Sequence, residues 1–591
     1  MSDPTPATKA SSTPVAHASS PATPVAHASI PATSAAVTST PATPATSGAD
    51  ASTPATPTSD ARTAAAADAI AAGRATLGIE LGSTRIKLCL VGDDPADVLA
   101  VGGHAWENEF VDRLWTYDLA DVWTGLQSAY ADLLADAERR HGARPTALAG
   151  LGVSAMMHGY LALDADGEPL VPFRTWRNTN TGAAAAELTE LLGVNIPLRW
   201  SIAHLHQAVL DAEPHLPRLA QITTLAGYVH ERLTGRRVLG VGDASGMFPI
   251  DSATADYDAE LIARYDSRAA TTGAGIPALA QLLPEVLVAG QDAGHLTAEG
   301  AALLDPSGSL RPGALLCPPE GDAGTGMVAT RSVAPRTGNV SAGTSIFAMI
   351  VLERPLAGRH HELDLVTTPS GDAVAMVHCN NGASELAAWA GLFGRFSAAA
   401  GTPLGDDAVF DTLFREALDG DADAGGLLAY NYLAGEPITG LDEGRPLVVR
   451  SPGSSFTLGN FMRAQLYGVF GTLALGMRVL HGEGVVIDRM FAHGGLFRTA
   501  GVAQRFLAGA LDAPVSVAAT ASEGGAWGIA VLASYAVAVQ AGSADAASGL
   551  DDYLGERVFA GAVFETAEPD PADVTGFASH LERYDAGLAV E

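Results

Sequence analysis

The chain changes its hydrophobic rhythm near residue 73. Before that point there is almost nothing large to bury. After it, short continuous apolar runs alternate with stretches whose apolar residues recur every three or four positions. "LGIELG" (77–82) and "RIKLCLV" (85–91) are two such runs around a small-residue turn, and they predict paired strands. "DVWTGLQSAYADLLADAERR" (121–140) places Val122, Leu126, Tyr130, Leu133 and Leu134 at helical spacing. "ALAGLGVSA" (147–155) predicts a buried strand, and "AWGIAVLASYAVAVQ" (526–540) a buried helix too short to span a bilayer. The alternation predicts an α/β architecture.

One pattern occurs twice. Gly82-Ser83-Thr84 separates two apolar runs, and so does Gly343-Thr344-Ser345 in "GNVSAGTSIFAMIVL" (338–352). Small residues favour turns, so chance is one explanation. The other is a duplicated fold, with one glycine–hydroxyl hairpin tip in each lobe and a nucleotide meeting both.

Residues 1 to about 72 are mostly Ala, Pro, Thr and Ser with almost nothing large, and "TPVAHAS" is repeated at 13–19 and 23–29. Such a segment cannot offset its ordering entropy by burial, so a disordered tail dispensable for chemistry is expected. Its His17 and His27 read as solvated side chains.

Composition removes several functions. A formal charge of −32 argues against nucleic acid. The only lysines, Lys9 and Lys87, do not follow glycine, which excludes a Gly-Lys-Ser/Thr phosphate loop. No protein-kinase Val-Ala-Ile-Lys, zinc-binding His-Glu-x-x-His or Gly-x-Ser-x-Gly elbow occurs. Cys89, Cys317 and Cys379 read as free buried thiols in a reducing cytosol. With no secretory signal visible, a cytoplasmic location is expected, with no membrane partner.

Candidate chemistry lies in glycine-rich loops and isolated acids. Glycine lets a backbone approach a phosphate, and exposed amides and hydroxyls can donate to it. Besides the two tips, Gly494-Gly495 in "HGGLF" and Gly524-Gly525 in "SEGGAWG" could admit a phosphate or a flat base. Phosphoryl transfer also needs a metal near the phosphates and a base for the attacking hydroxyl. Asp322 in "CPPEGDAGTGM" and Asp243 in "GDASGMFPID" are the loop acids, and His158 follows a buried strand in "MMHGY". Glu80 stands just before the first tip.

Together these segments resemble the FGGY carbohydrate kinases of the actin/Hsp70/hexokinase superfamily. "GIELGSTRIK" is similar to their first phosphate motif, and "GVSAMMHGYLALDADGEPLVPFRTWRNTNT" (152–181) to the xylulokinase-type Gln-Met-His-Gly…Trp-Asn-Asp segment. "LTGRRVLGVGDASGMFPID" (233–251) resembles a Leu-Thr-Gly…Asp-Ala-Ser stretch, and "EGDAGTGM" the Gly-Gly-Asp-Asn-type base segment. "GNVSAGTSIFAM" resembles the second phosphate motif, and "AHGGLF…SEGGAWGIAVLA" the adenosine loop. The order holds from about 76 to about 540.

The resemblance implies two actin-like (ribonuclease H-like) domains, 73–336 and 337–591, with sugar and MgATP in the cleft between them. It implies Asp322 as general base, with Met157, His158, Trp176 and Asp322 on the sugar. It puts Gly82, Ser83, Thr84, Gly343, Thr344, Ser345, Gly494, Gly495, Gly524 and Gly525 on ATP, and Glu80 on Mg²⁺. The implied activity is phosphorylation of a ketopentose or related polyol, and a homodimer is left open. An actin-like ATPase and a non-catalytic sugar or nucleotide sensor are the alternatives. The chain departs from the family pattern at Glu80 (usually Asp), at Arg177-Asn178 (usually Asn-Asp) and at Ala323 (commonly Asn).

Overall fold

The computed structural model describes residues 59–518 and 524–590. The expectations for residues 1–58, including the repeat with His17 and His27, lie outside the described residues. The tail was expected to run to about 72, and here the structure differs. Ser59–Ala71 is a helix, α1. Its alanine run favours helix, and Ile70, with Ala66, anchors it in the core of the first lobe.

The first lobe is built on a six-stranded sheet. Its strands are β1 (Thr76–Leu81), β2 (Arg85–Val91), β3 (Val98–Ala105), β4 (Gly150–Ala155), β5 (Leu315–Leu316) and β6 (Glu320–Gly321). The spatial order is β5-β4-β1-β2-β3, with β6 also pairing with β4. β1–β2 and β2–β3 are antiparallel, and β1–β4 and β4–β5 are parallel.

The expected amphipathic helix is α2, Leu119–His141, two residues longer at its start and one at its end. Asp118 accepts from Ala120 N–H at its N-terminus, and Gly142 closes it in the left-handed region. Its apolar stripe, Val122, Leu126, Tyr130 and Leu133, is buried.

The second lobe has a seven-stranded sheet. Its strands are β7 (Thr337–Ala342), β8 (Ile346–Val351), β9 (Asp364–Thr367), β10 (Ala373–Cys379), β11 (Arg489–His493), β12 (Val515–Ala518) and β13 (Phe564–Ala567). The order is β9-β10-β8-β7-β11-β12-β13. Within it, β10-β8-β7-β11-β12 repeats β3-β2-β1-β4-β5: two antiparallel steps, then two parallel ones. The sequence echo is therefore a topological duplication, with each glycine–hydroxyl tip joining the first two strands of its sheet.

Two helices tie the halves together. Helix α3 is Asp322–Ala329, and helix α4 is Gly524–Gln540. Although α4 comes late in the chain, it packs on the first sheet, where Ala526 and Ala530 meet Cys89 and Val91. The second half thus lends a helix to the first lobe. Among the described residues no helix is long and apolar enough to cross a membrane. Cys89, Cys317 and Cys379 are all buried.

Candidate active site

The first tip turns its carbonyls toward the protein. Gly82 O accepts from Trp106 Nε1 at 2.7 Å, Ser83 O from Tyr117 Oη at 2.7 Å, and Thr84 O from Trp106 N–H at 3.2 Å. Trp106 and Tyr117 stack with centroids 4.3 Å apart, so the two donors of the clamp pack on each other. The amides of Ser83 and Thr84 have no protein acceptor among the described residues.

The second tip is built on the same plan. Gly343 O accepts from Ala383 N–H at 2.8 Å, Thr344 O from Gly382 N–H at 2.8 Å, and Ser345 O from Gly343 N–H at 2.9 Å. The Thr344 and Ser345 amides are left without a protein acceptor among the described residues. A tip whose carbonyls are consumed behind it presents donors in front, which suits an anion. Gly494, at φ 107°, lies against the base of this tip: a Cβ there would fall 2.3 Å from Ala342 O. Gly494 and Gly495 are both exposed.

Glu80 sits where three elements converge. The hairpin register sets it opposite Lys87, and Lys87 Nζ donates to its Oε2 at 3.2 Å. Ala526 N–H, in the first turn of α4, donates to the same oxygen at 3.2 Å. Gly525 makes this approach possible, since a Cβ there would lie 2.9 Å from the Glu80 carboxyl. Gly524 is exposed at the mouth of α4, while the preceding Ser522 and Glu523 lie outside the described residues. Glu80 Oε1 has no protein partner among the described residues.

Asp322 opens α3. Its Oδ1 accepts from Met157 N–H at 3.1 Å. Solvent still reaches the side chain. Even so, desolvation pushes its carboxyl up to about 6; the Met157 bond opposes the shift and the Glu80 charge adds to it. The water that reaches this exposed side chain trims that shift.

The competing acid lies deeper. Asp243 is 1% exposed, and its Oδ2 accepts from Thr224 Oγ1 at 2.6 Å. Its Oδ1 is buried with no partner among the described residues. Burial pushes Asp243 up to about 7, against the Thr224 bond and with a push from Asp322. Glu320, also 1% exposed, accepts from Gly242 N–H at 3.3 Å and Asp243 N–H at 2.9 Å. Burial, then Asp243, raises it to about 8.

Met157 and His158 are buried beside Asp322, and Gly246 packs onto both. His158 adopts φ 72°, unusual for a side chain of this size, and its Nδ1 lies 3.3 Å from Gly246 O. Burial, then the charge of Arg199, pushes its imidazole well below the ordinary value. Trp176 is set apart. Arg177 stacks on both Trp176 and Trp115, 5.3 Å from each ring. No hydrogen bond or ring contact joins Trp176 to Asp322, Met157 or His158 among the described residues. Asn178 ties down Trp115, donating to its carbonyl and accepting from its N–H, each at 2.8 Å.

Glu80, Asp322, Met157 and Gly525 thus come together, with the first tip one residue beyond β1. The second tip groups with Gly494. Sequence reasoning missed Lys87 as the partner of Glu80, although a hairpin turning at 82–84 pairs 80 with 87. It also missed Glu320, for which no pattern gave a signal.

Among the described residues no cluster of three or more His, Cys, Asp or Glu side chains forms a metal cage. Mg²⁺ does not require one: it takes one or two carboxylates, keeps several waters and binds substrate phosphates. The spare Oε1 of Glu80, with Asp322 nearby, fits that demand.

This arrangement is a two-lobed α/β fold with a duplicated sheet order. Residues 75–306 match the FGGY family of carbohydrate kinases, N-terminal domain, and residues 338–537 match its C-terminal domain. The chain belongs to the FGGY family of carbohydrate kinases. A xylulose kinase of Streptomyces coelicolor is 29% identical over 143 residues, 22% of this chain and 30% of that protein. The matched stretch therefore spans less than a third of that relative. A xylulose kinase of Haemophilus influenzae is 22% identical over 431 residues, 71% of this chain and 82% of its own length. In three dimensions, the crystal structure of xylulose kinase from Rhodospirillum rubrum superposes with a TM-score of 0.69 at 23% identity, covering 88% of this chain and 99% of that one.

Proposed function

We propose that the chain transfers the terminal phosphoryl group of ATP to a hydroxyl of a small sugar, a ketopentose or related polyol. The observation that carries this reading is the state of Asp322. It is an acid open to solvent, bonded to the Met157 amide and set beside Glu80. A general base needs access to its proton donor and a pKa close to working pH. Asp243, sealed from water, lacks that access.

In the proposed reaction the sugar hydroxyl oxygen attacks the terminal phosphorus, its proton passes to Asp322, and the bond to the ADP oxygen breaks. The outward amides of Ser83, Thr84, Thr344 and Ser345 hold phosphate oxygens, where fixed donors stabilise developing charge. Gly495 and Gly524, both exposed, leave room for the nucleotide, while Gly494 and Gly525 shape its site by letting the second tip and Glu80 pack close. Met157 and His158 bound the sugar side, with Trp176 further out. Glu80 is the candidate Mg²⁺ ligand through Oε1, and the ion when bound would neutralise phosphate charge.

The ketopentose preference is supported by the xylulose kinases among the relatives. The domains run 73–336 and 337–591, with α1 packed onto the first ahead of it and α4 crossing back onto it. A cytoplasmic setting, where ATP and reduced thiols coexist, suits the three buried cysteines.

Phosphorus NMR of reactions with ATP, Mg²⁺ and single sugars tests the reading. A new sugar phosphate ester, formed only with an accepted sugar, is expected. Inorganic phosphate as the sole product would assign an ATPase instead. Tight ligand binding without either product would assign a sensor.

A further inference from the structure

The turn that holds Asp322 is itself held by a residue that reaches into the other lobe. Met157 N–H donates to Asp322 Oδ1 at 3.1 Å. Two residues on, Gly159 N–H donates to Arg199 O at 3.2 Å, and Ser201 Oγ donates to Gly159 O at 2.5 Å. His158, between them, stands at φ 72° with both neighbours fixed. The backbone at 199–201 therefore supports the 157–159 turn.

The Arg199 side chain leaves in the opposite direction. Its guanidinium pairs with Asp364, the first residue of β9 in the second lobe. Asn195 Nδ2 joins the contact, donating to Leu363 O at 3.0 Å and to Asp364 Oδ1 at 3.4 Å. The side chains of Arg199 and Asp364 are only 21% and 12% exposed. β9 also docks on the first lobe near Asp243: Thr367 N–H donates to Ser245 Oγ at 3.2 Å, and Thr367 Oγ1 donates to Val241 O at 2.9 Å.

We propose that the Arg199–Asp364 pair is a positioning strut, which carries the setting of the second lobe through the Met157–Gly159 turn into the orientation of the Asp322 carboxylate. Neither residue touches the reacting atoms. Their part is to make the base correctly placed only when the lobes are correctly placed. A misplacement of about 1 Å costs on the order of 10²-fold in rate, so a modest loosening would be measurable. The proposal rests on Asp322 being the base of a sugar kinase.

The test uses the full chain with Asp364→Asn, Arg199→Met and the double variant, with Arg199→Lys as the conservative change. Asp364→Asn keeps the shape and the bond to Asn195 while removing the charge. Hydrogen exchange is followed at the Met157 and Gly159 amides, alongside kcat and ATP affinity. Exchange about tenfold faster at those two amides is expected, with kcat about tenfold lower and ATP affinity unchanged. The double variant should be no worse than the poorer single, because both cut one connection. Arg199→Lys should recover part of the loss.

Wild-type exchange and turnover in a folded Asp364→Asn would overturn the proposal. So would additive losses in the double variant, or a loss of protection spread evenly over the molecule. If the unaltered protein phosphorylates no sugar, the kinase reading fails, and the exchange measurements still decide whether the strut exists.

Discussion

At the scale of single residues, the acids of the cleft differ by what surrounds them. Asp322 must be ionised to accept a proton. With its carboxyl raised toward about 6 and solvent trimming that rise, kcat/KM should climb with pH and level off by about pH 6. Asp322→Asn should erase this acidic limb, and a limb unchanged in that variant would place the titration elsewhere. Glu80→Gln should raise the Mg²⁺ concentration needed for half-maximal rate more than it raises the sugar KM, and a superposable Mg²⁺ titration would remove Glu80 from the metal. The buried pair shows itself in stability. Asp243 and Glu320 bind protons more tightly folded, at about 7 and about 8, than in an unfolded chain. The folded state then holds extra protons above the ordinary carboxylate range, so stability falls as pH rises from about 4 to about 8. The melting temperature should drop by several degrees between about pH 5 and about pH 8.5, and Glu320→Gln should flatten that slope. An equal slope in the variant would mean that Glu320 is ionised throughout. The sequence made Asp322 visible, since a carboxylate among glycines stands out. It could not separate Asp322 from Asp243, because the difference lies in burial contributed by segments far along the chain.

At the scale of elements, the two hairpins were legible because each couples an alternation of apolar runs with a tip of small residues. Their shared logic was not. The outward amides arise because Trp106, Tyr117, Gly382 and Ala383 capture the carbonyls, and none of these residues is near its tip in the sequence; folding brings them there. Helix α1 escapes the hydrophobic pattern because alanine contributes little hydrophobic signal while favouring helix strongly. Its few buried side chains give a direct check. Removing residues 2–58 should leave kcat, KM and melting temperature nearly unchanged. Extending the deletion to 71 removes Ile70, 1% exposed, from its seat. Losing that packing should cost roughly 2–4 kcal/mol and lower the melting temperature by several degrees. Equal melting of the two truncations would show that α1 contributes nothing to the first lobe.

At the scale of the molecule, a duplicated sheet order sets two donor-bearing tips in two lobes, and α3 and α4 join the halves at Glu80 and Asp322. The duplication could be suspected from Gly82-Ser83-Thr84 and Gly343-Thr344-Ser345 alone. The crossing of α4 onto the first sheet could not, because its uniform apolar character names no partner. Everything chemical in this account depends on the open acid of the cleft being the base for a sugar hydroxyl. The most direct measurement is steady-state ADP release across ketopentoses, aldoses and polyols, made on the unaltered chain, Asp322→Asn and Asp243→Asn, with ATP affinity measured for each. The account predicts sugar-stimulated ADP release from the unaltered chain and a kcat about 10²–10⁴-fold lower for Asp322→Asn, with ATP still bound. Asp243→Asn should lose less. Normal turnover by Asp322→Asn beside a folded but inactive Asp243→Asn would contradict it.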